Sequence, residues 1–294
     1  MAPGEQSLFD VDPSSSELGS APGLWALMQV SGVGSTTALK LAQACSSWEQ
    51  LAANPEDALI QANARRVDPH VLATAAMNPG QPPTTSDEVQ LVGYFDPDYP
   101  SRLQQVASAP AVLWVRGTAP AGNAAAVVGT RHPTKAGVDR VHKVVSVLVS
   151  AGYGIVSGLA AGVDTAAHEA ALAEGGQTWA YLGSGVDYPT PPENVDLAER
   201  IVAAGGGLLA EVDPGTKPSP RTLVARDRLQ SGSSSLTVIG QSGIPSGTLH
   251  TARFTIEQGR RLVVVAPPAS EADDPAWAGN RALCHPDGCD PAIL

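Results

Sequence analysis

Two apolar, strand-like runs, each ending in a small-residue turn that opens a helix, constrain this chain more than any other feature. They lie between Ala125 and His168, as AAAVVGTRHPTKAG and YGIVSGLAAGVDTAAH with a helical run between. The first turn is Gly129-Thr130-Arg131 and the second is Ser157-Gly158-Leu159-Ala160-Ala161-Gly162. A strand entering such a turn brings backbone N–H groups and a helix N-terminus to one point, which suits a phosphate. Arg131 adds a fixed positive fork. Either turn alone fits an ordinary strand-to-helix connection. Two of them, the second followed by Asp164 and His168, point to a binding site at the carboxyl edge of a parallel sheet.

The alternation continues downstream. Strands are expected at 124–128, 154–156, 178–182, 207–210, 235–239 and 262–265, with helices at 137–151, 164–174, 194–204 and 247–258. Val141, Val144, Val145, Leu148 and Val149 share one helix face. This pattern predicts right-handed βαβ crossovers and an α/β fold, an extended Rossmann-like parallel sheet with helices on both faces. Two further strands, 89–92 and 112–115, flank a short helix at 100–106.

The N-terminal part differs in character. Residues 1–20 are rich in Ser, Pro, Gly and acidic residues and read as a flexible tail. From Leu24 the spacing predicts helix, a Gly32-Val33-Gly34 turn, and a second helix with Ser35 as its N-cap. A helix-hairpin-helix of this form can hold a DNA phosphate, but no Lys or Arg precedes Lys40, which favours a plain helical connector. The expected organisation is a tail to residue 20, a small helical domain (SAM or helix-hairpin-helix-like) over 21–78, a Pro-rich linker over 79–87, and the Rossmann-like domain over 88–294.

The net charge of −11 argues against broad, nonspecific adhesion to nucleic acid, although it permits a small basic pocket. Aromatic residues are 4% of the chain, too few for a stacking platform. No apolar run has the length of a membrane span, the N-terminus lacks a signal-peptide pattern, and Cys45, Cys284 and Cys289 form no disulfide framework, so a cytoplasmic protein is expected. Cys284, His285 and Cys289 lack an evident fourth ligand, and neither metal nor cofactor is expected.

An ordered series of motifs carries a family resemblance. It comprises Asp96-Pro97-Asp98-Tyr99-Pro100, Ala109-Pro110-Ala111-Val112-Leu113, and Val128-Gly129-Thr130-Arg131 with Pro133-Thr134 and Gly137. It continues with Ser157-Gly158-Leu159-Ala160, Gly162, Asp164 and His168, then Arg226-Asp227-Arg228, Ser246-Gly247-Thr248-Leu249 with Thr251-Ala252, Gly259-Arg260 and Gly279-Asn280. Over residues 22–291 the chain resembles the DNA-processing protein A (DprA, Smf) family. The resemblance implies a non-enzymatic homodimer that binds single-stranded DNA at the Rossmann edge and hands it to the RecA recombinase in natural transformation. It implies that Arg131 grips a phosphate with Gly129 and Thr130, that the Ser157-Gly158 turn supplies backbone donors, and that Arg226 and Arg228 line the groove. Ser246, Gly247 and Thr251 would complete the anion site. Asp164 and His168, at i and i+4 on one helix, can hydrogen-bond each other as a structural brace or contact the ligand directly.

The chain departs from the family pattern at several points. Ala161 stands where a basic residue is typical, Asp227 where the family has Asn, Gly240-Gln241 where it has Glu-Ala, and Leu223 where it has Phe. No C-terminal winged helix of the family type is expected after the core. Weakened phosphate contacts leave a second reading open, a nucleotide-sensing or regulatory protein of antitoxin or phage-defence type. A phosphoribohydrolase is disfavoured, because Gly205-Gly206-Gly207 is followed by Leu208-Leu209-Ala210 rather than Gly-Thr.

Overall fold

The computed structural model describes residues 13–284. Its chain divides into two compact units. One takes the described residues up to Thr84 with Leu91–Tyr99 and Ser108–Leu113, and the other takes Thr85–Gln90, Pro100–Ala107 and the chain from Trp114 onward.

The first unit contains α1 (Ala21–Met28), α2 (Ser35–Ala44), α3 (Trp48–Ala53), α4 (Pro55–Gln61) and α5 (Pro69–Met77). Their apolar faces, including Leu24, Leu27, Leu41, Leu51, Leu59 and Leu72, close one core. Residues 13–20, expected as part of a flexible tail, are ordered. Pro13–Ser15 forms a 3-10 turn, Leu18 is fully buried in that core, and Ser20 caps α1 by accepting from the Gly23 N–H. Ser35 is not the cap of α2. Gly34 takes that position and the Ser35 hydroxyl turns to the Met28 sulfur. The turn also has basic neighbours that its local sequence lacks, since Arg65 and Arg66 share a small cavity with Gly32 and Thr37.

The strands are β1 (Val89–Gly93), β2 (Val112–Gly117), β3 (Ala124–Val128), β4 (Gly154–Ser157), β5 (Thr178–Leu182), β6 (Gly207–Ala210), β7 (Leu236–Ile239) and β8 (Arg261–Val264). Their order across the sheet is β1-β2-β6-β5-β4-β3-β7-β8. Pairs among β3 to β8 are parallel, as expected for helical crossovers. The β2–β6 pair is antiparallel, so the sheet is mixed rather than wholly parallel. β2 precedes the βαβ series, and no crossover helix dictates its direction.

The remaining helices are α6 (Ser101–Gln104), α7 (Lys135–Ser150), α8 (Val163–Ala173), α9 (Val195–Ala203), α10 (Pro220–Gly232), α11 (Thr248–Glu257) and α12 (Ala278–Leu283). Successive strand residues serve opposite faces of the sheet. Val127, Ile155 and Val238 pack with Val141 and Val145 of α7 and Val163 and Ala167 of α8. Val128 and Ile239 pack with Leu249 and Ala252 of α11.

No helix among the described residues is long and apolar enough to cross a membrane. Of the three C-terminal residues for which no metal was expected, His285 and Cys289 lie outside the described residues. Within the described residues no cluster suited to a metal occurs.

Candidate functional site

The sheet order reverses at β3. The chain leaves β3 for β4 on one side, while β7 pairs with β3 on the other. In open α/β sheets the carboxyl ends of two such strands part into a crevice, because the connections run to opposite sides. A cleft of about 530 Å³ lies there. Residues 128–132 after β3 form one wall, Ser246, Gly247, Thr248 and Thr251 at the start of α11 form another, and α10 contributes Pro220, Leu223, Val224, Arg226, Asp227 and Gln230. Ala160 and Asp164 complete the lining.

The two Gly turns that organise the sequence are already satisfied internally. The Thr130 N–H donates to the Gln241 carbonyl at 2.7 Å, and the Thr130 carbonyl accepts from the Val163 N–H. Gly162 makes this close passage possible. Its φ is +84°, and a Cβ there would lie 2.5 Å from the Thr130 carbonyl oxygen. In the second turn, Asp164 Oδ2 accepts from the Gly158 N–H at 3.1 Å and the Ala160 N–H at 3.3 Å. A carboxylate of the chain thus sits where an anion would be cradled. Burial pushes the Asp164 carboxyl pKa up, against the opposing charge of Arg226 and the turn's hydrogen bonds.

Asp164 and His168 do not pair with each other. His168 is fully buried and its Nδ1 lies 2.7 Å from the Thr178 hydroxyl, whose own proton goes to the Ile155 carbonyl. Burial, reinforced by Arg226, lowers the His168 pKa to about 3, so the ring is neutral. Ser157 is fully buried as well, and its hydroxyl donates to the Val127 carbonyl, tying β4 to β3.

The two arginines of α10 differ in position. Arg226 is 7% exposed and lies against Gly158, with Nη1 donating to the Gly158 carbonyl at 2.6 Å and the Tyr181 carbonyl at 2.7 Å. A Cβ on Gly158 would sit 1.6 Å from that nitrogen, so only glycine admits the guanidinium. Arg228 turns away from the cleft lining to Glu211 at 2.7 Å.

Arg131, by contrast, is exposed and has no hydrogen-bond or ion-pair partner among the described residues. The cleft is also lined by the exposed His132, the hydroxyls of Thr130, Ser246, Thr248 and Thr251, and the N-terminus of α11. The structure thus brings Gly129, Thr130, Arg131, Arg226, Ser246, Gly247 and Thr251 to one cleft, and leaves Ser157, Gly158 and Arg228 outside its lining.

Residues given no direct part by the sequence line the same space. Asp227 approaches Arg226 Nε at 3.3 Å and accepts from the Gln230 amide at 3.2 Å through the same oxygen, Oδ1. Burial pushes its pKa up to about 6, with Asp164 adding to the rise and Arg226 and Arg131 opposing it. Leu223 and Val224 supply apolar surface. The signal for α10 was present as Ser219-Pro220 with Thr222, which form a reciprocal capping box with Pro in the first turn.

The departure at Gln241 also has a structural role. Its fully buried side chain accepts from the Thr134 N–H at 2.8 Å, and Gly137 leaves room for it. Thr134 in turn donates to Glu271 at 2.8 Å, which ties Glu271 to the start of α7. Gly279 and Asn280 lock the end of β7. Asn280 accepts from the Ser242 N–H at 2.7 Å and donates to the Gly240 and Val265 carbonyls.

Comparison with known proteins places this arrangement among relatives. The family model described as DNA recombination-mediator protein A matches residues 90–287. Protein Smf of Synechocystis is 38% identical over 185 residues, covering 60% of this chain and 46% of that protein. The X-ray structure of DNA processing protein A from Streptococcus pneumoniae superposes with a TM-score of 0.75 at 26% identity, covering 92% of this chain and 94% of the other. A Helicobacter pylori DNA processing protein A, described for its single-stranded DNA binding mode, matches at a TM-score of 0.59 and 24% identity over 69% of this chain and 90% of its own. The chain spans about half the length of the curated relatives it matches.

Proposed function

The chain belongs to the DNA recombination-mediator protein A family, and from that premise we propose that it binds single-stranded DNA through the cleft at the carboxyl ends of β3 and β7. The carrying observation is Arg131, exposed at the cleft without a partner while Arg226 beside it is committed to backbone carbonyls. A phosphate on Arg131 would be flanked by the hydroxyls of Ser246 and Thr248 and by the positive end of α11. The backbone amides of the Gly158 turn take no part, because Asp164 holds them. We further read the protein as a non-enzymatic, cytoplasmic homodimer that passes the strand to a RecA-type recombinase in natural transformation.

The test is titration of labelled single-stranded oligonucleotide at low salt. Arg131→Ala is expected to weaken binding about ten-fold or more, in keeping with loss of a charge-assisted phosphate contact. An unchanged affinity with a folded variant would refute the assignment. Light scattering tests the dimer, and pull-down against RecA tests the hand-off.

A further inference from the structure

We propose that Asp227 makes the cleft selective for bases that carry an exocyclic amino group, such as cytosine, over thymine. The inference rests on the strand-binding reading above and names what that site selects.

A carboxylate in a phosphate cleft is unfavourable unless something donates to it. Asp227 Oδ1 is engaged by Arg226 and Gln230, whereas Oδ2 has no hydrogen-bond partner among the described residues. Beside it on α10, Gln230 is 1% exposed, and its Oε1 is buried without a partner. Both residues line the cleft. The α10 wall therefore offers Asp227 Oδ2 as an acceptor lacking a donor, with the unpartnered Gln230 Oε1 enclosed on the same helix, and the apolar surface of Leu223 and Val224 and the side chain of Arg131 line the same cleft.

A nucleotide matches this layout. Its phosphate meets Arg131, its flat base lies along the apolar wall, and its edge faces the Asp227 carboxylate. An exocyclic amino group donates an N–H to the carboxylate. Cytosine N4 supplies such a group, and so do adenine and guanine, whereas thymine has none and offers carbonyl oxygens instead. Those oxygens would face a carboxylate, an acceptor against an acceptor. An Asn at 227 would remove this discrimination, because its amide can both donate and accept.

The experiment compares oligo-dC with oligo-dT of equal length at neutral pH and low salt, for the wild type and Asp227→Asn. Both proteins are melted first to confirm folding. The wild type is expected to prefer dC about ten-fold, and D227N to bring the ratio near one while binding both strands more tightly. If D227N tightens both strands by one common factor and keeps the ratio, Asp227 only repels phosphate and the proposal is overturned. Thermal shift with dCMP and dTMP separates this proposal from the strand reading. If neither strand binds but dCMP stabilises the wild type more than dTMP, and D227N abolishes the difference, the strand reading falls and the selectivity stands. If no strand or nucleotide acts, both fall.

Discussion

At the scale of single residues, the cleft rests on one contact, the Arg226 guanidinium lying across Gly158. Gly158→Ala drives a methyl into Nη1 and displaces a buried charge from two carbonyls, so a loss of about 3 kcal/mol is expected in urea unfolding. A loss below about 1 kcal/mol would show that Arg226 has room to move. Asp227 supplies the pH dependence. Its carboxyl, facing Arg226, Arg131 and Asp164, is raised to about 6 when folded. The unfolded chain releases that proton near 4, so the folded state holds more protons between these values. The stability this contributes is complete below pH 4 and is lost as pH rises to about 6. Asp227→Asn should therefore become more stable than the wild type by on the order of 2–3 kcal/mol across that window, read from unfolding free energies at pH 4 and pH 7. A constant difference between the proteins would contradict it. The sequence grouped Arg131, Arg226 and Arg228 in one groove, but it had no means of showing which arginine is free. Burial and carbonyl partners decide that, and they come from β4 and β5, far along the chain.

At the scale of elements, the strand–turn–helix units were legible because their apolar runs and turns are local. α10 was not, since its sequence, PRTLVARDRLQSG, mixes polar and apolar residues without a clear stripe. It is a helix because its cap is built from Ser219 and Thr222 and because Leu229, Gly232 and Arg226 are buried by other elements. Asn280 on α12 shows the same dependence at the end of β7. It serves backbone groups at 240, 242 and 265 that nothing else in its own segment could satisfy. Asn280→Ala leaves those buried groups unpaired, and a cost of about 3 kcal/mol is expected from denaturant melts. The folded variant should also bind strand several-fold more weakly, because the turn anchored at Ser242 leads into Ser246 and α11. Full retention of affinity would separate the lock from the cleft.

At the scale of the whole molecule, the proposed strand binding asks a chain of net charge −11 to hold a polyanion with very few contacts. Long-range repulsion opposes approach, and only short-range pairing at the cleft compensates. Several of the arginines are paired locally, among them Arg116 with Glu199 and Glu88, Arg228 with Glu211, and Arg253 with Glu257. Arg131 remains available at the cleft. Salt dependence measures this directly, because each phosphate contacted on a single strand contributes about −0.7 to the slope of log K against log salt. One or two contacts predict a shallow slope of about −1, with Arg131→Ala flattening it by about 0.7. A slope steeper than about −4 would require five or more phosphates and would place the strand on a basic track far larger than this cleft. The same titration on duplex should show weaker binding, since a base must leave its stack and pair to meet the α10 wall.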